Sequence, residues 1–283
     1  GIKGSSMTPL FSIIIPSYNR AVMLRQAIRS VLAQSFGAFE LFVIDDGSTD
    51  NTRFLQFEFE TDRRVKWLRF DDNRGQAICR NSALSLAQGR FICFLDSDDL
   101  CLPGRLMALK KAIDGRPSVG FWFTNGYELR QGRIIGRLFD ANRAIPEGKV
   151  PGFYAVGSYR LPYVTSALAI RRDAFKTVGT FRTDMKILED TELYARMLGA
   201  GVEVGVIRES LFIRRLHSGQ ITRDYARCLE ESMMALDSGN APPDIKLTIA
   251  LDIQRDVVGY YLKNLEPLKA RELLRSSCQA RGW

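Results

Sequence analysis

The chain has 283 residues, 46% of them hydrophobic and 25% charged, with a formal net charge of +8. That composition is rich enough for one large buried core with an appendage, and it excludes a disordered or low-complexity chain. No apolar run reaches the ~18 residues that a helix needs to cross a bilayer. Gly1–Ser6, ahead of Met7, read as an expression scar and stand outside the fold.

In chain order, Phe11-Ser12-Ile13-Ile14-Ile15 is the first predicted strand. Leu24, Ala27, Ile28, Val31 and Leu32 then recur at the spacing of one helix face, and Leu41-Phe42-Val43-Ile44 is a second strand, which makes a β-α-β unit. Val65-Lys66-Trp67-Leu68 reads as a third strand, Gly75 to Ala87 as a helix, and Phe91-Ile92-Cys93-Phe94-Leu95 as a buried strand. Such alternation predicts a parallel sheet with helices on both faces, whose ligands bind beyond the carboxyl ends of the strands. Three polar clusters lie at those ends: Pro16-Ser17-Tyr18-Asn19, Asp45-Asp46-Gly47-Ser48 and Asp96-Ser97-Asp98-Asp99. They are expected to line one crevice.

Carboxylates crowded onto the end of an apolar strand repel one another, so a positive partner should compensate them. A divalent metal holding a phosphorylated ligand suits the acids at 96, 98 and 99, because oxygen ligands favour hard Mg²⁺ or Mn²⁺. The plainer alternative is a loop and helix start, with Pro103 in the first turn.

Further on, Leu193, Tyr194, Met197 and Leu198 form a helical apolar face preceded by Glu189-Asp190, and the strand-like Ser210-Leu211-Phe212-Ile213 feeds into Arg214-Arg215-Leu216-His217. From Asp224 onward the pattern is helical, through Leu247, Leu251, Ile253, Val257, Val258, Tyr261 and Leu262 to Leu268, Leu273 and Leu274. The expected organisation is therefore a domain over residues 7–222 and a helical extension over 223–283. That extension could pack on the domain, form a homodimer contact or carry basic residues to a membrane surface.

Cys79, Cys93, Cys101, Cys228 and Cys278 are odd in number and include no close pair, which suits reduced thiols in a cytoplasmic protein better than disulfides or zinc. The positive charge favours anionic partners. No nucleic-acid motif accompanies it, so nucleic acid is not an expected partner. Arg208, Arg214, Arg215, Arg223 and Arg227 concentrate locally, either to meet a diphosphate or a phosphate-bearing lipid, or as a solvated face.

Four stretches taken together resemble family 2 glycosyltransferases: Ile13 to Asn19, Val43 to Asp50, Ala77-Ile78-Cys79-Arg80-Asn81, and Leu95 to Asp99. Gly179-Thr180-Phe181 followed by Leu188 to Leu193 is similar to the second half of that family, so the likeness covers about residues 10 to 217. It implies an α/β GT-A-like fold, a Rossmann-type mostly parallel sheet flanked by helices, with a nucleotide-sugar donor and inversion at the anomeric carbon. The implied substrates are a UDP-sugar and a glycan or lipid-linked glycan acceptor, handled in the cytoplasm or at the inner face of the membrane.

By the same resemblance, Pro16, Ser17, Asp46, Arg80 and Asp96 would contact the nucleotide sugar, with Asp96 nearest the ribose. Asp98 would be the principal metal ligand, with Asp99 coordinating or orienting, and His217 would reach the metal or the diphosphate. Asp190 would be the catalytic base and Glu189 an acceptor contact. Each has a structural alternative. Asp46 could brace the turn at Gly47, Arg80 could pair with an acid, Asp190 could cap its helix, and a lone histidine is most often ordinary packing.

Two other functions compete. A metal-dependent phosphatase with an Asp-x-Asp nucleophile explains neither Asp45-Asp46 nor Glu189-Asp190. A non-catalytic nucleotide- or glycan-binding module would have no use for the candidate base. A dinucleotide oxidoreductase is poorer still, because no Gly-x-Gly-x-x-Gly turn follows the first strand.

Overall fold

The computed structural model describes residues 8–217, 225–263 and 267–279. Strand and helix alternate through β1 (Phe11–Ser17), α1 (Ala21–Leu32), β2 (Phe39–Asp46), α2 (Leu55–Phe59), β3 (Val65–Phe70), α3 (Gln76–Leu86) and β4 (Phe91–Phe94). There follow β5 (Leu100–Cys101), α4 (Arg105–Gly115), β6 (Phe121–Arg130), β7 (Arg133–Arg137), β8 (Leu168–Arg171), α5 (Arg172–Val178), α6 (Glu189–Gly199) and β9 (Val204–Leu216). Three helices close the order: α7 (Tyr225–Ser238), α8 (Pro243–Lys263) and α9 (Pro267–Gln279).

The described strands form one nine-stranded sheet, ordered β3-β2-β1-β4-β8-β6-β9-β5 with β7 beside β6. β1 to β4 are mutually parallel, as their β-α-β spacing predicts. β8 enters antiparallel between β4 and β6, and β9 returns parallel to β6. The mixed α/β architecture agrees with the expected fold class.

Both faces of β1 are covered, so all seven of its residues are buried, as its unbroken apolar run requires. Leu24, Ala27, Ile28 and Val31 of α1 are buried in one core with Ile13, Ile15, Leu41 and Val43. Pro16 cannot donate to a ladder, yet it sits in a central strand. The register permits this because β4 pairs with β1 only as far as Ile14, which leaves Pro16 opposite Ile44 of β2 alone.

At the opposite end of these strands the buried carboxylate of Glu40 accepts from Ser12 Oγ (2.6 Å), Lys66 Nζ (2.5 Å) and the amides of Gln88 (2.7 Å) and Gly89 (3.2 Å). Burial raises its pKa, but these donors together outweigh that and hold it below the usual glutamate value. Gly89 lies so close to β1 that a Cβ there would meet Ser12 N at 2.4 Å.

The described residues group into two compact units. The first, within Gly1–Val150, Pro162–Thr183 and Val202–Gln220, contains the whole sheet. The second lies within Pro151–Leu161, Asp184–Gly201 and Ile221–Trp283, and in it α6 packs with α7 and with the short 3-10 turn Gly152–Ala155. That packing is tight enough that a Cβ on Gly152 would lie 2.4 Å from the carbonyl of Gly239. None of the described helices is long and apolar enough to cross a membrane. Cys79, Cys93, Cys101 and Cys228 are free thiols, the first three of them buried.

Candidate active site

Within the first unit the carboxyl ends of β1, β2 and β4 carry the polar clusters. β1 and β2 are tied there by Asn19, whose side-chain oxygen accepts from the amides of Thr49 (2.8 Å) and Asp50 (3.2 Å) while its own amide donates to Ser48 Oγ (2.9 Å). Asn19 adopts a φ of 51°, a left-handed conformation that asparagine tolerates better than most residues. Ser17 Oγ, at the end of β1, is buried without a hydrogen-bond partner among the described atoms. A buried hydroxyl in that condition is either costly or kept for a ligand.

The two adjacent acids ending β2 point to opposite faces, as successive strand residues must. Asp45 is fully buried, pairs with Arg69 and accepts from the Ser48 amide (2.9 Å), so it holds the turn together. Asp46 accepts from the amides of Arg74 (2.8 Å) and Gly75 (2.9 Å), fixing the loop that starts α3. A carboxylate oxygen has two acceptor positions, so Asp46 retains capacity for a further donor such as a nucleobase N–H.

Beyond β4, ligand atoms of Asp96, Asp98 and Asp99 lie within 4.8 Å of one another. Asp98 Oδ2 accepts from Arg20 Nη1 at 2.5 Å and lies 2.9 Å from His217 Nε2. Arg215 donates its backbone amide to Asp99 Oδ1 (3.0 Å), and its side chain reaches the Asp98 carbonyl and Gln26. Ser166 Oγ receives the Asp96 amide at 3.0 Å. Arg80, on α3, reaches Asp96 at 3.4 Å and Gln76 at 2.6 Å, with its guanidinium beside the rings of Phe181 and Phe94.

Burial first, then the nearby charge of Asp96 and that of Asp98, push the Asp99 carboxyl up to about 7, against the opposing bonds from Ser166 and Arg215. Burial also lowers the Arg215 pKa, although Asp99 and Asp98 counteract it. An all-oxygen donor set whose charges repel one another fits a hard divalent ion such as Mn²⁺ or Mg²⁺.

In the second unit, Glu189 and Asp190 open α6. Asp190 Oδ1 accepts from the Thr191 amide (2.6 Å) and hydroxyl (3.2 Å), and Glu189 is buried.

The structure thus brings Asp96, Asp98, Asp99, His217 and Arg80 into one contact network and sets Ser17 and Asp46 at neighbouring strand ends. Pro16 is the penultimate residue of β1, directly before Ser17. Sequence reasoning gave no site role to Arg20 or Ser166. Arg20 follows the Pro16–Asn19 cluster directly, which was the available signal, whereas nothing around Ser166 marks it in sequence. Arg215 stood out only as one of several clustered arginines.

The Glycosyl transferase family 2 profile matches residues 12–179. The chain belongs to glycosyltransferase family 2. Within this family it is similar to the UDP-Glc:alpha-D-GlcNAc-diphosphoundecaprenol beta-1,3-glucosyltransferase WfgD of Escherichia coli, at 41% identity over 129 residues, 46% of this chain and 50% of that one. The putative teichuronic acid biosynthesis glycosyltransferase TuaG of Bacillus subtilis is 41% identical over 122 residues, 43% of this chain and 48% of the other. The aligned region spans about half the length of these curated relatives.

Among solved structures, S. aureus TarS 1-349 in complex with UDP-GlcNAc superposes with a TM-score of 0.68 at 21% identity, covering 85% of this chain and 70% of that chain. The mannosyltransferase PcManGT from Pyrobaculum calidifontis, in complex with GDP-Man and Mn²⁺, gives 0.61 at 19% identity, covering 97% and 81%. Likeness at such identities speaks for the family 2 GT-A fold.

Proposed function

We propose that this family 2 glycosyltransferase moves a sugar from a nucleotide-diphosphate donor, a UDP-sugar, to a hydroxyl of a glycan or lipid-linked glycan, with inversion and with Mn²⁺ or Mg²⁺ as cofactor. Its main support is the acid cluster at the end of β4, three carboxylates with ligand atoms within 4.8 Å of one another, with Arg20 and His217 beside Asp98. The UDP-glucose donor of WfgD and the nucleotide sugars bound to TarS and PcManGT support the donor class.

In this reading Ser17 offers its unpartnered hydroxyl, and Asp46 its spare acceptor positions, to the nucleoside. Asp98 and Asp99 would hold the metal with His217 beside them, and Arg80 keeps Asp96 turned toward the ribose through the 3.4 Å pair. When bound, the metal supplies the positive charge that stabilises the departing diphosphate. Asp190 takes the proton from the acceptor hydroxyl as it attacks the anomeric carbon, and Glu189 contacts the acceptor. Direct displacement assisted by one base inverts the anomeric configuration without an enzyme nucleophile. The site of action is the cytoplasm or the inner face of the membrane, where lipid-linked acceptors would be met.

The experiment is donor turnover across UDP- and GDP-sugars, with Mn²⁺ and with chelator, beside a phosphate monoester as control substrate. Chelator-sensitive release of UDP is the expected result. Release of phosphate from the monoester would favour a phosphatase, and tight UDP binding with no turnover on any donor would favour a binding module.

A further inference from the structure

Leu188, the residue at the start of α6, is apolar and makes no side-chain capping hydrogen bond. Just ahead of the helix, Glu231, on α7 and 43 to 45 residues further along the chain, takes the amides of Lys186 (2.8 Å), Ile187 (2.9 Å) and Leu188 (2.8 Å) on its two carboxylate oxygens. Glu231 is 4% exposed. Three consecutive amides on one buried carboxylate hold the approach to α6 in a single conformation, and a negative group near a helix start is favoured by the helix dipole. Glu189 and Asp190 are the next two residues.

We infer that Glu231 is a positioning residue for catalysis, fixing the segment 186–188 so that the Asp190 carboxylate is presented in one orientation. The inference rests on the reading of Asp190 as the base. Packing alone needs no such group. α6 and α7 already bury Leu193, Tyr194, Met197, Ala235 and Leu236, and an apolar residue at 231 would extend that surface. A buried carboxylate that spends its bonds on one loop instead contributes geometric definition, and a shift of about 1 Å at a catalytic group can lower a rate by 10²-fold. Helix α7 thereby becomes part of the catalytic apparatus.

The test is a double-mutant cycle on the full chain, with Glu231→Gln, Asp190→Asn and the pair, using the nucleotide sugar that turns over in the donor panel. Glu231→Gln keeps the side-chain shape but loses one acceptor oxygen and presents an NH₂ group to the amides. Its kcat should fall about tenfold with donor KM and the Kd for UDP unchanged, and it should cause no further loss in the Asp190→Asn background. A normal kcat for Glu231→Gln, a loss confined to KM, or the same fractional loss in both backgrounds would overturn the positioning role. Normal transfer by Asp190→Asn is a separate result that overturns the base assignment and with it this inference. If Glu231→Gln no longer binds UDP, Glu231→Asp, which keeps both oxygens but withdraws them by one methylene, replaces it in the same cycle.

Discussion

His217 Nε2 lies 2.9 Å from Asp98 Oδ2, although 119 residues separate the two in sequence. β9 brings the histidine there and the turn after β4 brings the aspartate. The same carboxylate oxygen accepts from Arg20, so residues from two distant segments meet at one atom of Asp98. If the acids hold a divalent ion, an imidazole in this place can ligate it or orient Asp98 toward it.

His217→Ala should therefore raise the Mn²⁺ concentration for half-maximal activity by about tenfold, within the usual range for losing a ligand or its supporting partner. Asp98→Ala should abolish metal-dependent turnover while the protein stays folded. Identical metal titrations for wild type and His217→Ala would return the histidine to a packing role.

Asp99 predicts a pH dependence. Its folded pKa, about 7, lies above that of an unfolded aspartate, so the folded state holds a proton that the unfolded chain releases. The associated stability is fully present below about pH 4 and is lost as pH rises through about 7. Thermal melts of metal-free wild type and Asp99→Asn, which imitates the neutral acid, should diverge with rising pH in favour of the variant. Mn²⁺ should close that gap for wild type alone. A difference in melting temperature that stays constant from pH 4 to 8 would refute the raised pKa.

Binding and chemistry should separate between Asp46 and Asp190. Asp46→Ala removes a nucleotide acceptor and also the acceptor of the Arg74 and Gly75 amides, which loosens the loop that starts α3. UDP affinity and stability should fall together. Asp190→Asn should bind UDP normally and lose about 10²-fold or more in kcat. Equal kcat values for wild type and Asp190→Asn would remove Asp190 from the base role.

Glu40 makes the opposite pH prediction from Asp99. Its pKa is lowered in the folded state, so its stabilising contribution is present above about pH 4.5, the usual glutamate value, and is lost as pH falls through the lower folded value. Glu40→Ala would leave Ser12, Lys66 and two amides without their acceptor and should cost about 2–4 kcal/mol in denaturant unfolding near neutrality. Glu40→Gln should cost less and flatten the acid limb. Undiminished stability in Glu40→Ala would show that the network contributes nothing net.

Local periodicity determined much of this protein. The alternation of apolar strands with the helix face of Leu24 to Leu32 implied the parallel β1–β4 core, and acids placed directly after apolar runs had to lie at strand ends, whatever the final topology. The family likeness was carried by the same segments, because a motif at a strand end needs only local backbone to keep its shape. Pairings across the chain were another matter. Which of Asp45 and Asp46 meets Arg69 depends on the pleat and on the register of β2 against β3. Arg20 meets Asp98 because β4 pairs beside β1, while Ser166, Arg215 and His217 reach the acids because β8 enters antiparallel between β4 and β6 and β9 runs between β6 and β5. In the sequence Glu231 is one charged residue of a helical tail, and only the packing of α7 on α6 gives its carboxylate the amides of residues 186–188. Hydrophobic spacing records which face of an element is buried, but not which distant element buries it, so strand order and helix packing had to be supplied by the tertiary structure.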